Sequence, residues 1–310
     1  MTETTREIFE KYQIRKTKKQ KSAFIDYVKR LSDEWGYSHK IEKGIFGVRN
    51  IIVGDPDTAK VVYTAHYDTC PVLPFPNFIT PKCFSIYIWY HFAVVAVCFV
   101  LAAIIGVIFG VIGALINLSA NVLLFTSEAT YIILLFILFA GPANKHTAND
   151  NTSGVTLLID IMRDLPSEYR KDVAFIFFDL EEAGLFGSAS YANAHKAAMK
   201  ERLLLNFDCV SDGENMIFAL KKGARPYREA IESAFIEKDS FNVEVADKGI
   251  FYPSDQAQFP CGVGVAALRS TKNGLLYMNR IHTKNDVIYK EENIDFLKTG
   301  AIELVKILEI

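Results

Sequence analysis

The sequence lacks a strong net charge, an even set of cysteines and an export signal. Its 34 lysines and arginines stand against 36 aspartates and glutamates, and the net charge of −2 gives no case for nucleic-acid binding. The five cysteines have no paired spacing and fit reduced thiols better than disulfide bonds. The first residues are polar and acidic, without the apolar core of a signal peptide. We expect a protein that binds no nucleic acid and faces a reducing compartment.

Charge is almost missing from residues 84–143. Their one formal charge is Glu128, and a membrane-spanning helix needs about 20 apolar residues. The segment therefore predicts two transmembrane helices, at residues 87–111 and 123–140. Because Glu128 falls within the second helix, an interfacial hairpin stays open as an alternative, and so does a helical hairpin inside a soluble core.

Basic residues flank this apolar segment. Lys82 precedes it, Lys145 follows it, and the link at residues 113–121 is uncharged, so the positive-inside rule puts both flanks on the cytoplasmic side. We predict a multi-pass protein of the plasma (inner) membrane, with glycines in its helices that favour association between copies. Residues 11–21 carry six basic and no acidic side chains, which predicts either a solvated helix face or a patch that binds anionic lipid.

Outside the apolar segment, strand-like and helical patterns alternate. Apolar runs predict strands at residues 46–53, 61–65, 173–178, 203–207 and 263–268. Apolar residues at helical spacing predict helices at residues 5–34, 155–162, 226–237 and 292–309. This alternation indicates an α/β domain with a mostly parallel sheet covered by helices on both faces. Residues 1–83 and 144–310 would form this domain, and residues 84–143 a membrane hairpin inserted in it.

Side chains that can bind metals follow several of the predicted strands. In open α/β sheets, functional groups gather beyond the carboxyl ends of the strands. The adjacent carboxylates Glu181 and Glu182 follow an apolar strand directly, which is costly unless a cation lies there or one of them is protonated. Imidazole and carboxylate ligands together suit zinc. The candidate residues are His66, Asp68, Asp150, Glu181, Glu182, Asp208 and His282.

The order of these motifs resembles that of a known family, the co-catalytic di-zinc aminopeptidases of metallopeptidase family twenty-eight, clan MH, to which glutaminyl cyclase is related. The motifs are His-x-Asp, Asp-Asn-x-Ser-Gly, Glu-Glu-x-Gly-Leu-x-Gly-Ser, Phe-Asp, Ser-Asp and Ile-His-Thr-x-x-Asp. The resemblance implies a zinc-exopeptidase fold and two zinc ions. One ion would be bound by His66 and Asp208 and the other by Glu182 and His282, with Asp150 bridging them.

The resemblance also implies an activity, the hydrolysis of N-terminal peptide bonds by a water molecule that the two zinc ions activate. Glu181 would act as general base, and Asp68 would orient His66. A glutaminyl cyclase or another amidohydrolase on the same fold stays open, as does a non-catalytic membrane scaffold. The stretch Asp-Asn-Thr-Ser-Gly that begins at Asp150 favours the peptidase, and the complete ligand set argues against the scaffold.

The ligands His66 and Asp150 must meet at one metal centre, although residues 84–143 separate them in sequence. The insert must therefore cross the bilayer an even number of times or not at all. It begins soon after Asp68 and ends shortly before Asp150, which predicts a site that opens near the bilayer surface. We expect its substrates to be peptides that are amphipathic or released from the membrane.

Overall fold

The computed structural model describes residues 1–116, 119–236 and 241–308. The helices in these residues are α1 (Glu3–Glu7), α2 (Lys18–Glu34), α3 (Phe84–Leu115), α4 (Ala120–Ala140), α5 (Gly154–Asp164), α6 (Phe186–Ala194), α7 (Arg228–Ala234) and α8 (Glu291–Ile307). The strands are β1 (His39–Lys43), β2 (Arg49–Val53), β3 (Val61–His66), β4 (Val173–Phe178), β5 (Leu203–Phe207), β6 (Asn215–Leu220), β7 (Asn242–Ala246), β8 (Gly262–Ser270) and β9 (Leu276–Tyr277).

These strands form one sheet in the order β1-β2-β4-β3-β5-β8-β6-β7, with β9 paired to β8. The central strands β4, β3, β5 and β8 are parallel, whereas β2 and β6 run antiparallel to β4 and β8. The prediction of a mostly parallel sheet is therefore wrong, because the sheet is mixed. The cause is two short connections, residues 54–60 and 208–214, since neither is long enough for a helical crossover and the chain must reverse its direction.

Helices cover both faces of the sheet, as predicted. Side chains of β3 and β4 alternate between the faces, so that Tyr63 and Phe175 pack with α2, α5, α7 and α8. Val62 and Ile176 point to the opposite face, where Tyr191 of α6 completes a second buried cluster. The fully buried strands β4 and β5 have the bounds that the sequence predicts.

The predicted helix at residues 5–34 is interrupted, and two of its basic side chains are buried. α2 begins only after Thr17, whose hydroxyl accepts from the backbone N–H of Gln20 while the Gln20 side chain accepts from the backbone N–H of Thr17. Arg15 is fully buried, and Lys21 pairs with Asp179 at 2.7 Å between Nζ and Oδ1. Two of the six basic side chains at residues 11–21 are therefore buried in the sheet domain. Fewer positive charges remain for an exposed helix face.

α3 and α4 differ from the other helices because their large apolar side chains, such as Phe99 and Phe125, are exposed. In the described part of the chain, Phe84–Gly113 is the one stretch of helix long and apolar enough to cross a membrane, and the apolar stretch Leu124–Leu138 of α4 is shorter. The two helices pack closely at Gly106. A Cβ atom at this position would lie 1.8 Å from Oγ of Ser127 on α4, which is too close for a side chain.

The chain leaves the sheet domain and returns to it at adjacent points. Pro71 pairs with Ala143 as an isolated bridge, and the backbone N–H of Val72 donates to the carbonyl of Pro142 at 2.8 Å. Residues 117 and 118 of the predicted link lie outside the described residues, as do the last residues of the predicted helices at 226–237 and 292–309.

Candidate active site

Three parallel strands end at the same edge of the sheet, and each supplies or precedes a predicted ligand. β3 ends at His66, which lies opposite Phe178, the last residue of β4. Glu181 and Glu182 follow β4 within a short turn, and Asp208 directly follows β5. Because β3 lies between β4 and β5, these side chains meet beyond the carboxyl ends of the strands.

Asp150 lies between two groups of ligand atoms. Its Oδ1 atom is 3.3 Å from His66 Nε2, which is 3.5 Å from Asp208 Oδ1. Its Oδ2 atom is 3.2 Å from His282 Nε2, which is 3.1 Å from Glu182 Oε2. The structure thus brings together all five predicted metal ligands, and the two oxygens of one carboxylate are divided between two imidazoles.

Buried hydrogen bonds fix the loop that carries Asp150. Asp286 accepts from the backbone N–H of Asp150 at 3.0 Å. On the other side, the Asn151 side chain donates to the carbonyl of Phe207 at 3.0 Å, at the end of β5. A Cβ at Gly154 would lie 2.2 Å from the same carbonyl oxygen, so this close approach of α5 to β5 requires glycine.

Asp68 organises the turn that follows β4. Its carboxylate accepts from the backbone N–H groups of Glu181 and Glu182, at 3.0 and 3.3 Å. His66 Nδ1 is 3.1 Å from the main-chain carbonyl of Asp68 and 3.6 Å from its carboxylate. Leu180, next to Glu181, has a φ of 55°, which is unfavourable for a residue other than glycine. Asp68 therefore holds this strained turn through its carboxylate and contacts His66 mainly through its main chain.

Burial and neighbouring charge oppose each other at the site. Burial lowers the pKa of His66, but the charge of Glu181 and the contact with Asp150 outweigh it and raise that pKa well above its ordinary value. Burial raises the pKa of Glu181 strongly, and Glu182 adds to this although His66 opposes it. Burial and the charge of Asp150 raise the pKa of Asp286 to about 8. Bound cations would relieve this crowding of acidic groups.

The donor atoms fit zinc. The ligand atoms of His66, Asp150 and Asp208 lie within 4.8 Å of one another, and so do those of Asp150, Glu182 and His282. Imidazole nitrogens and carboxylate oxygens are ordinary zinc ligands. Glu182 Oε1 is buried and has no hydrogen-bond partner among the described residues, which leaves an acceptor for a cation. The residues present therefore fit zinc.

Cys70 belongs to the same cluster, although the sequence analysis did not single it out. Its Sγ atom lies within 4.8 Å of the ligand atoms of Asp150, Glu182 and His282. Burial, together with the charges of Glu182 and Asp150, raises the pKa of the thiol well above its ordinary value. A single cysteine two residues after Asp68 has no metal-binding spacing, so no sequence signal pointed to it.

Arg15 is a second residue that the sequence analysis did not connect with the site. Its Nε donates to the carbonyl of Tyr67 at 2.5 Å, and both Nη atoms lie 3.3 Å from Thr152 Oγ1. Tyr67 directly follows His66, and Thr152 lies two residues after the shared aspartate. One buried guanidinium therefore joins the two segments that carry these ligands.

A sheet covered by helices, with histidines and carboxylates gathered at its strand ends, is typical of metal-dependent hydrolases with an α/β fold. The model of peptidase family M28 matches residues 133–304, more than half of the 310 residues. The chain therefore belongs to peptidase family M28, and the resemblance to that family is confirmed. The matched range begins within α4 and contains four of the five predicted ligands, all except His66. No curated protein matches the sequence.

Solved structures share this fold at low sequence identity. The LapA aminopeptidase of Legionella pneumophila has a TM-score of 0.57 and 13% identity, over 98% of this chain and 70% of that one. A glutaminyl cyclase of Porphyromonas gingivalis has a TM-score of 0.57 and 17% identity, over 97% of both chains. A Zn-dependent exopeptidase of Parabacteroides distasonis has a TM-score of 0.55 and 15% identity, again over 97% of both chains. The similarity establishes the fold of the sheet domain.

Proposed function

We propose that this protein is a membrane-anchored, zinc-dependent aminopeptidase that holds two zinc ions per chain. The observation that carries the proposal is the position of Asp150, whose two oxygens contact His66 and His282 separately. A carboxylate in this position suits a bridge between two cations, each completed by a further acid. Membership in peptidase family M28 supports the hydrolysis of peptide bonds.

The residues around the cations would have distinct roles. His66 and Asp208 would hold one ion, and Glu182 and His282 the other. Zinc in these positions would supply Lewis acidity to a water molecule and to the scissile carbonyl. Glu181 would accept a proton from the water and return it to the departing amine, since it lines the cleft beside the ligands without being one of them.

The charge of the cleft favours the amino end of a substrate over its carboxyl end. The described residues that line it include four carboxylates and three histidines, and no lysine or arginine. A carboxypeptidase needs a cation for the terminal carboxylate of its substrate, and arginine is the usual choice. An amino terminus could instead be held by Glu181, which is not one of the proposed metal ligands. This charge pattern supports an aminopeptidase.

Glutaminyl cyclase activity is the second candidate, because a glutaminyl cyclase shares the fold over 97% of both chains. A glutaminyl peptide also presents its free amine, so the acidic cleft suits it equally well. The two reactions differ in their products, since the peptidase releases an amino acid whereas the cyclase keeps the chain intact and releases ammonia.

The proposed location is the plasma (inner) membrane, with the sheet domain on the cytoplasmic side. Phe84–Gly113 has the length and composition of a membrane span, and α4 would provide the return. An even number of crossings is consistent with the pairing of Pro71 with Ala143, on either side of the insert. Lys82 and Lys145 flank the helices, as the positive-inside rule requires of cytoplasmic flanks.

The proposed substrates are peptides that are amphipathic or released from the membrane, because the cleft extends to the first apolar helix. The lipid bilayer would itself be a partner of α3 and α4. The exposed faces of these helices would also allow copies of the chain to associate within the bilayer.

A substrate panel tests the proposed function. Purified protein in detergent is incubated with aminoacyl anilides and with N-terminal glutaminyl peptides, with and without a chelator, and free amino acid and ammonia are measured. We expect release of amino acids that the chelator abolishes and that Glu181→Gln lacks. Release of ammonia from glutaminyl peptides alone would favour the cyclase, and a metal-free protein inert on both would favour a scaffold.

A further inference from the structure

The cleft above the candidate ligands extends to the membrane insert. It has a volume of about 400 Å³, and its lining includes acids such as Asp150 and Glu181. The lining also includes Tyr87 and Val94 of α3 and Leu138 of α4. The insert is therefore a wall of the cleft as well as an apolar anchor.

Specific contacts fix this part of α3 against the sheet domain. Tyr90 Oη donates to the carbonyl of Pro76 at 2.7 Å, and His91 Nε2 lies 3.0 Å from Asn77 Oδ1. The ring of Tyr87 lies 5.4 Å from that of Phe251, in a T-shaped arrangement. The first turns of the helix consequently have a defined position beside the cleft.

The length of α3 explains why these turns can remain outside the lipid. Its 32 residues extend about 48 Å at 1.5 Å per residue, whereas the hydrocarbon layer is about 30 Å thick. About a third of the helix thus exceeds the span. The N-terminal turns contain polar contacts and the exposed ring of Trp89, which are typical of the membrane–water interface. The end of the cleft at α3 would therefore lie at the bilayer surface.

We propose that Tyr87, Val94 and Leu138 form an apolar subsite that selects peptides with large apolar side chains at their N-terminal end, and that these peptides enter along the membrane surface. This inference rests on the proposed aminopeptidase function and adds residues that determine its specificity. The lining changes from acidic near the ligands to aromatic and aliphatic near the helices, which suits a substrate with a free amine and an adjacent apolar side chain.

Neighbouring valines provide a matched test in the full-length protein. Val94 lines the cleft, whereas Val95 is exposed on α3 outside it. Val94→Phe narrows the cleft and keeps the helix apolar, so zinc content and membrane insertion should not change. We expect kcat/KM for a leucyl or phenylalanyl anilide to fall about tenfold relative to that for an alanyl anilide, mainly through KM. Val95→Phe should leave the ratio unchanged.

A second pair on the other helix makes the test independent of α3. Leu138→Trp should reproduce the loss of preference for the leucyl or phenylalanyl anilide over the alanyl anilide. Ile137→Trp replaces an exposed side chain of α4 and should leave that preference unchanged. Equal substrate ratios in wild type, Val94→Phe and Leu138→Trp would overturn the subsite while leaving the aminopeptidase intact. If the wild type hydrolyses none of the anilides in a chelator-sensitive manner, the proposed function fails first.

Discussion

The sheet domain and the helical insert distribute polarity in opposite ways. In the sheet domain, charged groups such as Asp150 and Arg15 are buried and make polar contacts, and apolar strands are covered by helices. In α3 and α4, large apolar side chains are exposed along the helices. The first arrangement suits a domain that is surrounded by water and has its reactive groups in the interior. The second suits helices that are surrounded by hydrocarbon. The two arrangements meet at the cleft, which has walls from both regions.

The largest expected effect is the loss of activity when the proposed general base in the polar interior of the sheet domain is removed. Glu181→Gln removes the general base but none of the proposed ligands, so kcat should fall by about 10² to 10⁴ with zinc content unchanged. Steady-state kinetics and metal analysis of the same preparation would measure both. Glu182→Gln is the contrasting variant, since it should lower zinc content as well. Wild-type turnover in Glu181→Gln would contradict the assignment of the base.

Removal of metal should destabilise the sheet domain, and more so at higher pH. Without cations the pKa values of Glu181 and Glu182 are raised by burial, and those of His66 and His282 are raised by the neighbouring acids. Groups with raised pKa values contribute most to stability at low pH, and that contribution is lost as pH rises through the raised values. The metal-free protein should therefore lose stability as the pH rises above about 4.5, the ordinary pKa of a glutamate, and further as it rises above about 6.5, that of a histidine.

Zinc acts in the opposite direction, because its ligands must be deprotonated and its affinity grows with pH. At a free concentration a thousand times its dissociation constant it should add about 4 kcal/mol. Thermal unfolding with zinc or chelator at several pH values would measure the difference between the two forms. A difference that is constant or shrinks with rising pH would argue against metal binding at these residues.

Replacing an exposed isoleucine with lysine should have different effects in the two regions. Ile45 in the sheet domain and Ile104 in α3 are both exposed, by 63% and 51%. If α3 lies in lipid, Ile104→Lys should cost about 3–4 kcal/mol in membrane insertion. Ile45→Lys in water should change stability by less than about 0.5 kcal/mol. Membrane fractionation and thermal unfolding would measure the two effects, and equal tolerance of both variants would contradict a lipid environment for α3.

Local sequence patterns predict individual strands and helices better than they predict how the strands are arranged in the sheet. The apolar run of β4 and the mostly apolar run of β5 gave correct bounds, and the spacing in α8 gave a correct helix. β1 was missed because Ile41 is its one apolar residue and the strand is incompletely buried at the edge of the sheet. The mixed direction of the sheet depends on which strands become neighbours, and β4 inserts between β2 and β3 although it follows both in sequence.

The residues of the candidate site also differ in how well the sequence predicts them. Its ligands occur in short motifs, so His66 and His282 could be chosen from sequence although they lie 216 positions apart. The residues that support them have no motif of their own. Cys70 is a lone thiol, and Arg15 lies in a basic run that looks like a solvated surface. Only the packing of the N-terminal segment under β3 reveals the contact of Arg15 with Tyr67.

The smallest expected effect concerns Arg15, a polar group buried in the sheet domain. Arg15→Met keeps an unbranched apolar side chain but leaves the carbonyl of Tyr67 without its donor, and an unsatisfied buried acceptor costs about 1–3 kcal/mol. We expect a loss of about 2 kcal/mol, which lowers the unfolding midpoint by several degrees in a domain of this size. Thermal unfolding of the zinc-loaded protein in detergent measures it, with the exposed Lys19→Met as control. If both variants unfold at the wild-type temperature, the buried guanidinium does not stabilise the segments that carry the ligands.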